Sequence, residues 1–168
     1  MHQSLNLNHA DIESIHKTEQ LHVQSLELLR RMCKVIESTT DETRIKKAGV
    51  HDALIQAVNA GNVEFITSIV KANPGLVWNP LIARRVFEVA VEQRQAKIFS
   101  LIYGLREKVA IVSFRDGNGN NMLHKSAAVA PSRLLKLIPG AGLQMQRELQ
   151  WFKVTIYISN ISLLLSSM

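Results

Sequence analysis

Cysteine is almost missing from this sequence: Cys33 stands alone among 168 residues. One thiol builds neither a disulfide framework nor a thiolate zinc cage, and a chain without disulfides suits a reducing compartment such as the cytosol. Cys33 falls on an apolar stripe and reads as a small buried hydrophobe, although Arg30, Arg31 and Lys34 stand near enough in sequence to favour its thiolate. Aromatics are scarce too, 5% of residues, and they do not interleave with the basic pairs Arg30 and Arg31, Lys46 and Lys47, Arg84 and Arg85. The net charge of +6 therefore belongs to solvated helix faces, and nucleic acid is not an expected partner. No cationic, apolar, small-residue succession opens the chain as a signal peptide would. The apolar end, Val154–Met168, has 15 residues where a bilayer span needs roughly 20.

Catalytic and ligand-binding signatures are equally thin. Asp116, Asn118 and Asn120 begin like a calcium loop, but Asn121 follows where Gly is required, and Ala127 stands where a bidentate Glu belongs. Gly117 and Gly119 share one spacing of a dinucleotide fingerprint, yet Met122 takes the third glycine position. His16 and His22 are six residues apart, off the i, i+4 spacing that puts two ligands on one helix face. No Ser-His-Asp or Cys-His set and no glycine-elbow nucleophile is present. The expectation is a protein that is not an enzyme, with no cofactor, no metal and no small-molecule substrate.

What the chain does have is helical periodicity. Hydrophobic residues make up 46% of it, enough for one domain with a real core. Residues 1–18 are polar and aperiodic and read as a disordered tail. Residues 19–50 form an N-terminal helical segment: Leu21, Leu28, Leu29, Met32, Val35 and Ile36 fall largely at three- and four-residue spacings, and Asp41 suits the N-cap of a short connecting helix.

From His51 the pattern repeats. A helix carrying Leu54 and Ala57 ends at Gly61, which tolerates a left-handed turn, and Val63, Ile66, Ile69 and Val70 form the apolar face of the next. Phe87, Ala90, Ala96, Phe99 and Ile102 repeat Leu54, Ala57, Val63, Ile66 and Ile69 at 33 residues, which is the ankyrin period. Arg94 stands where Gly61 stands, at a cost of about 1 kcal/mol if the turn is kept. A third copy places Leu123 and His124 at the ankyrin Leu-His pair, where the histidine makes local and inter-repeat hydrogen bonds. Met145, Leu149 and Phe152 then give a last amphipathic helix as a cap. The expected fold is all-α: an ankyrin-like helical repeat solenoid over 51–153 with an N-terminal amphipathic helix and a C-terminal capping helix, then an atypical apolar tail, 154–168.

Three stretches go beyond a generic repeat: Val63–Ile66 through Asn73–Trp78, Arg94–Leu105, and Gly140–Lys153. With Gly119–His124 they resemble the plant ankyrin-repeat membrane proteins that end in a PGG domain, over residues 20–153. The resemblance implies a defence or stress signalling component with cytosolic repeats, tethered to a membrane in full-length relatives, and no catalytic residues. Lys125 and Ser126 replace the small or apolar residues usual after Leu-His, which implies a weakened third repeat. The pattern stops at Lys153, and Val154–Met168 then reads as a truncated gene model or retained intron.

The functional expectation is a cytoplasmic module that binds another protein through its hairpin tips and inner helices. Trp78, Arg84, Arg85, Arg94 and Gln95 are the candidate anchors, because exposed aromatic and Arg side chains dominate binding energy. A non-functional fragment and a weak nucleic-acid binder are the alternatives.

Overall fold

The computed structural model describes residues 9–39, 41–75, 80–105 and 108–164, and every regular element among them is helical. The first, α1, runs His9–Glu37. Residues 9–18 are therefore helix and not a disordered tail, while residues 1–8 lie outside the described residues. Every side chain from Asp11 to Ser25 is exposed, so this part of α1 is held by its own backbone and by bonds such as Thr18 Oγ1 to the Ser14 carbonyl at 2.8 Å. Its second half lays Leu29, Cys33 and Ile36 toward the core, against α4.

Helix α2 (Glu42–Lys47) buries Ile45 and leads to α3 (Val50–Ala60) and α4 (Val63–Ala72). The α3–α4 hairpin turns at Gly61, φ 69°, and Asn62 opens α4 by accepting the Phe65 amide at 2.9 Å. A second hairpin follows, α5 (Pro80–Glu92) and α6 (Ala96–Phe99), the latter tightening into a 3-10 turn over Ser100–Gly104. Helix α5 lies against α3, and α6 against α4.

The two hairpins close with the same three backbone bonds. In the first, Gly61, Asn62 and Val63 donate to Val58, Ala57 and Gly61 at 3.0, 2.8 and 3.0 Å. In the second, Arg94, Gln95 and Ala96 donate to Val91, Ala90 and Arg94 at 3.2, 2.8 and 3.1 Å. Each donor and acceptor is displaced by 33 residues, and Arg94 keeps the left-handed turn at φ 57°. The core obeys the same register. Leu54 and Phe87, Val58 and Val91, Ile66 and Phe99, Ile69 and Ile102 are all 2% exposed or less, and each such side chain contributes about 1.5–3 kcal/mol of hydrophobic stabilisation.

Helix α7 (Lys108–Ser113), for which the sequence pattern gave no expectation, buries Ile111 and Val112 between α5 and the last helix. A third, shorter pair follows: α8 (Met122–Ala127), packed on α5, and α9 (Ser132–Leu135). The last helix, α10 (Ala141–Leu164), runs through Lys153 without a break, so residues 154–164 continue it and do not form a separate tail. Its packed face also differs from the expected one. Met145 and Leu149 are 73% and 52% exposed and Phe152 is half-buried, whereas Trp151, Thr155, Ile158 and Ser159 are buried. The inward stripe starts with Gln144 and Glu148, whose polar groups are bonded across to neighbouring elements, and only then becomes apolar. No helix among the described residues is long and apolar enough to cross a membrane.

Candidate functional site

Of the described candidate anchors, Arg84 and Arg85 lie in the second turn of α5, and Arg94 and Gln95 lie in the turn that follows its end. Near its start, the Arg84 guanidinium lies 3.8 Å from the centroid of the Phe114 ring, and its Nε is 3.5 Å from Glu88 Oε1. Arg85 brings Nη1 within 3.7 Å of the other Glu88 oxygen while its side chain stays 54% exposed. Glu88 itself is buried at 8%, so two cations flank one desolvated carboxylate. Phe114 is 39% exposed. The result is a cationic, partly aromatic face at the start of α5, the residue chemistry that anchors protein interfaces.

At the far end of α5, Arg94 is committed inside the molecule. Its side chain is 11% exposed; Nε and Nη2 donate to the two Glu148 oxygens at 3.2 and 2.6 Å. The same guanidinium donates to the Val91 and Ala128 carbonyls at 2.9 and 2.5 Å and lies 5.8 Å from the centroid of the Trp151 ring. Arg94 thus fastens the second hairpin to the end of α8 and to α10. This corrects its expected role as an exposed anchor. Gln95 is half-buried and leans over the first turn, its Oε1 2.9 Å from where a Gly61 Cβ would stand. Arg133 extends this stack of turns, donating to the Asn59 carbonyl at 3.3 Å and to Gln93 Oε1. Trp78 lies outside the described residues.

The positions expected to repeat differ in burial. Leu54, Ala57, Phe87 and Ala90 are buried, and Leu123 is half-buried. His124 is exposed and serves locally: Asn121 Oδ1 caps α8 by accepting the Leu123 and His124 amides at 3.0 and 3.2 Å, and His124 Nδ1 lies 2.7 Å from it. Lys125 does not open a gap in the third pair; its Nζ lies 3.4 Å from Glu92 and 3.6 Å from Asp116, tying α8 to α5 and to the preceding loop. Ser126 is buried with its hydroxyl bonded to the Leu123 carbonyl at 2.8 Å.

Asp116 serves its own loop. Its Oδ1 accepts the Asn118 and Asn120 amides, both at 2.9 Å, and the Asn120 amide is the main cause of a carboxyl pKa held below the usual value. Burial, followed by Glu37, raises the pKa of the Cys33 thiol, so the neighbouring cations do not activate it. No group of three His, Cys, Asp or Glu side chains among the described residues could hold a metal ion. Sequence reasoning missed two contributors, Phe114 and Glu148. Phe114 is a lone aromatic in a loop, and Glu148 is an isolated acid whose partner lies 54 residues away. No family model, curated protein or solved structure matches this chain.

Proposed function

We propose that this chain is a non-catalytic protein-binding module, a short ankyrin-type stack of helical hairpins in which α1 covers one end and α10 the other. The observation that carries this reading is the recurrence of the turn bonds at Gly61 and Arg94, together with the buried residues between them, at one 33-residue register. Such a stack presents inner helices and loops as one continuous surface. The Arg84–Phe114 pair, flanked by Arg85, is the part of that surface with anchor chemistry. The reading places the module in the cytosol, in a signalling role of the defence or stress type that the resemblance implies.

The test is a pull-down from plant extract with the native chain, Arg85→Glu and Phe114→Ala, each first checked for a native helical spectrum. Loss of a common set of partners in both variants supports this face; an unchanged set removes it. A non-cooperative thermal melt of the native chain argues for an inert fragment. Steeply salt-dependent RNA or DNA binding argues for a nucleic-acid binder.

A further inference from the structure

The second-hairpin turn, α9 and α10 enclose a cleft of about 320 Å³. Ala130, Leu134, Ile138, Trp151 and Val154 supply its apolar lining, and Leu137, 77% exposed, stands beside them. The walls are fixed in advance. Gln144 Nε2 donates to the Leu135 and Ile138 carbonyls at 3.1 and 2.9 Å, pinning the segment after α9 to α10, and the Arg94–Glu148 pair pins α10 to the hairpin turn. A preformed apolar pocket of this size accepts one or two side chains of a ligand with little reorganisation.

The charge around it is net positive: Arg94, Arg147 and Glu148 line it. From Lys125 to Met168 the sole acidic residue is Glu148, and Arg94 holds both its oxygens. Glu92, beside the lining residue Gln93, is paired with Lys125. Arg147 lines the cleft, and Lys136 and Lys153 are exposed next in sequence to the lining residues Leu135, Leu137 and Val154; none of the three forms an ion pair among the described residues. An apolar floor under unpaired cations selects a ligand that is apolar and anionic at once.

We propose that this cleft binds an acidic, apolar peptide segment of a partner protein. Aliphatic or aromatic side chains seat against Leu134 and Trp151, and the carboxylates meet Arg147, Lys136 and Lys153. The site is separate from the Arg84–Phe114 face, so either can fail alone.

The test uses three fluorescein-labelled helical peptides and fluorescence anisotropy on the full chain. One alternates Glu pairs with Leu pairs, one replaces Glu by Lys, and one replaces Leu by Ser. Binding of the Glu-Leu peptide should be about tenfold tighter than that of either control and should weaken about tenfold in Arg147→Glu/Lys136→Glu, while Arg85→Glu leaves it unchanged. Both substituted side chains are exposed and unpaired, so the fold survives the change. Leu137→Ser should weaken the same peptide without altering its charge preference. The proposal is overturned by equal affinity for the Glu and Lys peptides, by no binding of the Glu-Leu peptide, or by binding insensitive to Arg147→Glu/Lys136→Glu. It is likewise overturned if the chain binds only phosphatidylglycerol vesicles, a charge match without a peptide.

Discussion

The turn at Gly61 and the turn at Arg94 close identical backbone bonds with opposite residues. At Gly61 the left-handed φ of 69° carries no Cβ, and the end of the Gln95 side chain occupies the space one would need. At Arg94 the same conformation carries the longest cationic side chain, at a backbone cost of about 1 kcal/mol. That side chain offsets the strain with two carboxylate bonds and two carbonyl bonds. What stands beside a left-handed position therefore decides which residue fits it: a neighbouring turn favours glycine, whereas a set of acceptors favours a donor.

The largest test of this contrast is Arg94→Ala. It leaves the partly buried Glu148 carboxylate unpaired and keeps the strain, so urea unfolding should show a loss of about 2–3 kcal/mol. A loss below about 1 kcal/mol would make the Arg94 network ornamental, with solvent replacing it. Next comes Gly61→Ala, at about 1–2 kcal/mol, part of which should return in a Gln95→Ala background. If that background changes nothing, the close approach of the turns contributes nothing. Arg94→Gly should be less harmful than Arg94→Ala by about 1 kcal/mol, isolating the backbone strain from the lost bonds.

The smallest effects concern groups away from the turns. Because its native pKa is depressed, Asp116 adds stability that is present above about pH 4 and is lost as pH falls through the native value. Asp116→Asn should flatten that acid limb of the stability profile, and an unchanged limb would assign it to other carboxylates. Cys33, with its raised pKa, should alkylate more slowly at pH 8 than a free small-molecule thiol.

The hairpins were legible in the sequence because burial wrote them there. Leu54, Ile66, Phe87 and Phe99 are core residues at helical spacing, and Gly61 marks the turn by its own conformational freedom. Residues 9–18 of α1 were not legible, since nothing buries them and no sustained apolar period betrays them; Ile12 and Ile15 are 44% and 48% exposed. The packed face of α10 was misread for the opposite reason. Its inward residues include Gln144, Glu148 and Thr155, while the regularly spaced Met145 and Leu149 face outward. Likewise the Arg84–Phe114 stack joins residues 30 positions apart through loop geometry that no spacing encodes.

The polar inward face of α10 has a consequence for how that helix finds its place. A purely hydrophobic stripe can slide by one turn and recover most of its contacts. Here a slide of four residues would put Gln144 or Phe152 opposite Arg94 and strip the Leu135 and Ile138 carbonyls of their shared donor. The axial position of α10 is therefore set by discrete point bonds near its start, and the apolar residues from Trp151 onward add adhesion to a register already chosen.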